Sequence, residues 1–186
     1  MATTLNAGAG GALTNISIRA NGMFDPEVAV GGHQPMAFDE MGALYNHFTV
    51  TKAHICVTAI NSSGYNMIMV LNTYPNSTFP STTDDALEYP GAVWRVVQTD
   101  NTNGASQSMA TLKKSCDMSK YFNKPRSQLI NSSLYRGTIA ADPTEQAYFT
   151  FSAQNMTGTE DPLAIELNIV VTYEAVWTEA VRIAGS

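Results

Sequence analysis

Charge is scarce in this chain. Asp, Glu, Lys and Arg make up 14% of its 186 residues, well below the rough quarter of an ordinary globular domain. Asn, Thr, Ser, Ala and Gly stand in for charge. Such a surface suits a subunit that buries its outside against copies of itself, or an extracellular β domain. Cysteine is scarcer still. Cys56 and Cys116 are too few for a disulfide framework. With no signal peptide opening the chain, both read as reduced thiols of an intracellular product, and Cys56 as small core packing inside a strand. No run of about 18 apolar residues is present to span a membrane.

Motifs of catalysis are missing too. No Gly-x-Ser-x-Gly elbow frames a serine, and the glycines Gly8 to Gly11 precede no helix and so form no phosphate loop. Scattered loop carboxylates could serve glycoside hydrolysis only if the fold brought two of them together. His33, His47 and His54 have no zinc spacing. The sequence therefore reads as a non-enzyme without a cofactor. One metal expectation stays open. Asp84-Asp85 with Glu88, or Glu160-Asp161, could hold calcium between subunits; otherwise they are helix-start charge and a solvated turn. Five Asn-x-Ser/Thr sequons begin at Asn15, Asn61, Asn76, Asn131 and Asn155. They would carry glycans only on a secreted chain, and the Asn/Ser/Thr-rich composition accounts for them.

What is present is period-two alternation. Ile165, Leu167, Ile169, Val171, Tyr173, Ala175 and Trp177 form one face of a long last strand. Thr49 to Ile60 alternates in the same way, with Ala53, Ile55, Val57 and Ala59 on one side and Lys52, His54, Cys56 and Thr58 on the other. Further strands are expected at 3–6, 14–20, 65–74, 92–99, 106–115 and 145–154. Trp94 and Trp177 lie inside strands among apolar neighbours and read as core or interface packing. Lettered B to I in chain order, the eight strands are joined alternately by short links (Gly8 to Gly11, Ser62 to Gly64, Asp100 to Ala105, Asn155 to Pro162) and long ones (about 21–48, 75–91 and 116–144). That rhythm predicts an all-β, eight-stranded antiparallel jelly roll with sheets B-I-D-G and C-H-E-F. No linker or repeat divides it, so 1–186 reads as a single domain. Two short helices are expected in the long links. Asp39 would cap one carrying Met41, Leu44, Tyr45 and Phe48. Thr82 with Asp85 forms a capping box for another, ended by Pro90.

The first long link carries the most specific string: Asn21-Gly22-Met23-Phe24-Asp25-Pro26, then Gly32-His33-Gln34-Pro35, then Phe38-Asp39-Glu40 and Tyr45-Asn46-His47. It resembles the capsid proteins of small circular, replication-initiator-encoding single-stranded DNA viruses (circovirus-like). There a similar string joins an early strand to a long central one. The resemblance implies a jelly-roll coat protein that self-assembles into an icosahedral T=1 shell of sixty copies around single-stranded DNA. It also implies a virion location, assembly in the host nucleus or cytoplasm, and a host receptor. Asn21, Phe24, Asp25, Pro26, His33, Gln34, Pro35, Asp39 and Tyr45 are the loop and interface residues it marks.

The family's Arg/Lys-rich N-terminal arm has no counterpart, since no basic residue precedes Arg19. Strand B begins at the first residues, so the arm is expected to have been removed or never present. Charge is nevertheless segregated. Residues 113–136 hold six basic side chains and one acidic, in a chain whose net charge is −6. Lys113, Lys114, Lys120, Lys124, Arg126 and Arg136, interleaved with Tyr121, Phe122 and Tyr135, are the candidates for contacting single-stranded DNA through phosphate attraction and base stacking. A solvated loop or an inter-subunit contact fits the same residues. Two other functions share the fold class: a carbohydrate-binding jelly-roll module, and the capsid protein of a small RNA virus.

Overall fold

The computed structural model describes residues 2–6, 12–28, 34–61, 65–78, 80–98, 109–157 and 164–182. Among them lie eight strands: β1 (Ala2–Asn6), β2 (Thr14–Arg19), β3 (Tyr45–Asn61), β4 (Met67–Tyr74), β5 (Val93–Val97), β6 (Met109–Asp117), β7 (Tyr148–Asn155) and β8 (Ala164–Ala180). They form two four-stranded sheets in the orders β1-β8-β3-β6 and β2-β7-β4-β5. These are the B-I-D-G and C-H-E-F orders of a jelly roll, as the link lengths predict. In the first sheet β1 pairs antiparallel with β8, Ala2 opposite Asn168 and Asn6 opposite Ala164. In the second, Met67 of β4 faces Val97 of β5. Of the short links, Gly8 to Gly11, Ser62 to Gly64 and Asp100 to Ala105 lie outside the described residues, as does most of Asn155 to Pro162.

The chain forms two compact units. One comprises Met1–Ser17, Ile55–Lys114 and Phe149–Val171; the other comprises Ile18–His54, Ser115–Tyr148 and Thr172–Ser186. In the first, the alternation places Ile55, Val57, Ala59, Ile165, Leu167 and Ile169 inside, with Met67, Met69, Leu71, Leu112, Phe149 and Phe151. Ser17 and Thr150 are buried there as a hydroxyl pair 2.7 Å apart, so neither is left unsatisfied. In the second, Phe38, Phe48, Val50, Cys116, Met118 and Leu129 are buried. Cys116 is the buried cysteine. Cys56 lies on the other side of β3 and is only half-buried, which corrects the expectation that it packs in the core.

The first helix is also corrected. α1 spans only Phe38–Gly42, and its N-cap is Ala37, in the left-handed region with no side-chain cap. Asp39 is exposed in its first turn. Tyr45 and Phe48 belong to β3, because Phe48 exchanges two 2.9 Å backbone hydrogen bonds with Gly137; strand pairing overrides the helical spacing. The second helix, α2 (Thr83–Glu88), is as expected, the Thr82 hydroxyl accepting from the Asp85 N–H. The last long link holds two helices that the alternation did not suggest, α3 (Met118–Tyr121) and α4 (Arg126–Asn131). The Asp117 carboxylate caps α3 by accepting from the N–H groups of Ser119 and Lys120, a local signal for a helix start.

Candidate functional site

The motif string forms a polar lock in the second unit. Asn21 is buried, 2% exposed. Its amide nitrogen donates to the Glu145 carbonyl at 2.8 Å, and its amide oxygen accepts from the Ala147 N–H at 2.9 Å. A single side chain thus acts as a strand rung, beside the backbone bond from Ala20 N–H to Ala147 O. Asp142 does the same for the next residues, its two oxygens accepting from the N–H groups of Phe24 at 3.0 Å and Asp25 at 3.3 Å. The Arg19 guanidinium lies 3.5 Å from both the Asp25 and the Asp142 carboxylates and donates to the Gln146 side chain. Its own backbone is held too: Arg19 N–H donates to the Pro26 carbonyl, and the Tyr173 hydroxyl donates to the Arg19 carbonyl. Gly22 is required here, because a β-carbon would stand 2.6 Å from an Asp142 oxygen.

Burial dominates the electrostatics of this lock. It pushes the Asp142 carboxyl above the ordinary range, against the Phe24 N–H, Arg19 and the Asp25 N–H, which favour the charged form. Burial also raises Tyr173, and burial followed by the Asp25 charge raises Glu27. The sign for Asp142 follows from linkage. A folded-state pKa above the unfolded value means that the native state binds the proton more readily. Its contribution is present below the unfolded pKa and is lost as pH rises through the folded one. Asp142→Asn removes that term. Urea unfolding of both proteins from pH 7 down through the carboxylate range is expected to show wild type gaining relative to the variant on acidification. A loss instead would mean that Arg19 and the two N–H groups outweigh burial.

The other marked residues are less central. Gln34 donates to the Phe24 carbonyl at 3.2 Å. Pro26 is buried; Phe24, Pro35 and Tyr45 are half-buried. His33 lies outside the described residues. The sequence missed Asp142, Gln146 and Tyr173, and it counted Arg19 only as a charge.

Of the basic candidates, Lys120 and Arg126 are exposed and Lys124 half-exposed in the second unit, while Lys113 is exposed on β6 in the first. Lys114 donates to the Gly91 carbonyl. Arg136 is engaged by Glu179, which also meets the His47 ring at 3.3 Å. The interleaved aromatics pack on one another: Tyr121 edge-on to Phe122 at 5.1 Å, and Phe122 tilted against Tyr135 at 4.9 Å. Of the six basic candidates, Lys113, Lys120, Lys124 and Arg126 are thus the ones whose side chains make no ion pair or hydrogen bond among the described residues.

Trp177 packs against Phe38 and Phe48 at 5.6 and 5.7 Å. Trp94 differs from the core reading: it is 55% exposed on β5, at the edge of its sheet. A Ser115–His54–Glu174 row crosses β6, β3 and β8, with contacts of 2.7 and 3.2 Å. The row links three adjacent strands of one sheet as a cross-strand polar contact. Among the described residues no group of three His, Cys, Asp or Glu side chains is placed to hold a metal ion. Asp85 accepts from the Thr82 hydroxyl instead, and Glu160-Asp161 lies outside the described residues.

No protein-family model matches this sequence, and no curated protein matches it. Among solved structures the chain is similar to a chain of Triatoma virus, with a TM-score of 0.51 and 12% identity, over 97% of this chain and 64% of that one. It thus spans just under two thirds of that chain. Broad Bean Stain Virus gives a TM-score of 0.45 at 6% identity, over 100% of this chain and 92% of that one. Cowpea mosaic virus empty particles give 0.41 at 11%, over 100% and 91%.

Proposed function

We propose that this chain is a viral capsid protein, a single jelly-roll domain that self-assembles into an icosahedral shell and resides in the virion. The observation that carries the reading is the exposure of large apolar side chains on its links and sheet edge. Leu44, Ile139 and Val181 are each more than 40% exposed. They lie together in the second unit, where Val181 N–H donates to the Leu44 carbonyl and Ile139 stands over Gly42. In the first unit Trp94 and Val96 are exposed on the edge strand β5. A lone subunit with such patches and few charges is prone to associate. Heterologous contacts whose rotations close give a shell rather than a filament. The polar lock fixes the start of the first long link, Asn21 to Asp25, as part of a surface repeated identically around a shell. The Triatoma virus likeness supports the fold on which this reading stands.

The finer reading is a T=1 shell of sixty copies around single-stranded DNA, supported by the Asn21-to-His47 string. The jelly roll accommodates a small RNA virus coat equally. Negative-stain microscopy of the purified chain tests the shell. Uniform hollow spheres are expected, and a monodisperse monomer or dimer at every salt, pH and calcium condition would contradict it. The genome-facing assignment of Lys120, Lys124 and Arg126 has its own test. Charge reversal at all three is expected to leave shells intact and to lower co-purifying nucleic acid, with the affinity for a single-stranded oligonucleotide losing part of its salt dependence, about 0.7 per contact in logarithmic slope. An unchanged slope would remove these residues from the genome contact.

A further inference from the structure

Described residues of the link between β4 and β5 line an open groove of about 420 Å³, within the roughly 300–1,000 Å³ range of small-molecule sites. Its floor is aromatic. The rings of Tyr74 and Tyr89 are 4.5 Å apart and tilted by 48°. Tyr74 is 4% exposed and its hydroxyl oxygen is buried; burial raises its pKa, and the Asn72 side chain offsets part of that rise. The rim is polar: Asn76, Thr78, Ser81 and Asp85 line it and are all exposed.

The walls are fixed in advance. Buried Asn72 donates to the Tyr89 carbonyl at 3.1 Å, which holds the exposed ring at the lip. Pro75 and Pro80 stiffen the loop, and Thr83 of α2 is tied to Gln154. Such pre-organisation reduces the ordering cost of binding.

The chemistry selects the ligand. The exposed ring of Tyr89 suits apolar C–H surface, while the amide, hydroxyls and carboxylate of the rim suit several hydroxyl groups at once. Among the described residues no Lys, Arg or His lines the groove, and Asp84 and Asp85 occupy the first turn of α2, so phosphate, sulfate and carboxylate ligands are repelled. We infer that this pocket binds a neutral saccharide, one or two sugar rings stacked on Tyr89 with their hydroxyls on Asn76, Ser81 and Asp85. The site lies within one subunit, so it stands whether or not shells form.

The test is saturation-transfer NMR and tyrosine fluorescence on the full chain. The probes are galactose, glucose and N-acetylglucosamine, with N-acetylneuraminic acid and AMP as anionic comparisons. Saturable binding of at least one neutral sugar is expected, insensitive to salt and weakened about tenfold or more by Tyr89→Ala. Asn76→Ala, on an exposed loop where folding is not at stake, is expected to weaken it as well. The inference is overturned if no neutral sugar saturates, if both variants bind like wild type, or if an anionic probe binds more tightly than every neutral one.

Discussion

Asn21→Ala is expected to destabilise the protein by about 3 kcal/mol, because it strands two backbone groups at once. The Glu145 carbonyl loses its donor and the Ala147 N–H loses its acceptor, at a position that water barely reaches. In a chain of this length that corresponds to a fall of roughly 10 °C in Tm. Calorimetry or urea unfolding would measure it. Asn21→Asp is expected to recover only part of the loss, since the carboxylate still accepts from Ala147 but cannot donate to Glu145. A change below about 0.5 kcal/mol, the range of an ordinary surface substitution, would mean that the first long link is not held through this residue. That would leave the motif string without a structural reason.

The second large effect concerns Phe48 and Gly137, whose cross-strand bridge is covered by the Phe48 ring. A β-carbon on Gly137 would meet that ring at 2.3 Å, and the ring itself is wholly buried against Phe38 and Trp177. Phe48→Ala is expected to cost about 4 kcal/mol through lost burial and the cavity it leaves. Gly137→Ala is expected to cost about 2 kcal/mol through overpacking against a ring that the cluster holds in place. The informative variant is the double one. Once the ring is gone the clash is gone, so Gly137→Ala in the Phe48→Ala background is expected to be close to neutral. The coupling would then approach the whole cost of the Gly137 substitution. Additive losses would show that Gly137 is needed for its backbone conformation rather than for the space under the ring.

These two sites show what could be read from the residues and what could not. The strand order followed from period-two faces and link lengths, because β3 and β8 are long and each presents an apolar face. Asn21 was legible only as part of a resemblance. Its partners lie 124 and 126 residues away, and nothing local marks an asparagine that completes another strand. Asp142 was illegible for the same reason, its contacts to Phe24 and Asp25 spanning 118 and 117 residues. The helix misreading at Asp39 had a different cause. Met41, Leu44, Tyr45 and Phe48 do recur at helical spacing, but Phe48 is taken by Gly137. The pairing that decides the segment is again distant. By contrast, Thr82 with Asp85 is a local device, and it was legible because everything it needs lies within four residues. Asp117 before α3 was equally local but was passed over in a segment read for its charge.

The account rests on closed assembly of one kind of subunit, and the most direct measurement is the native mass of the purified chain by mass photometry. Sixty copies of a 20.0 kDa chain predict one narrow species near ~1.2 MDa before any nucleic acid, with no ladder of open intermediates. A single species at the mass of one or two chains, unchanged across salt, pH and calcium, would contradict it.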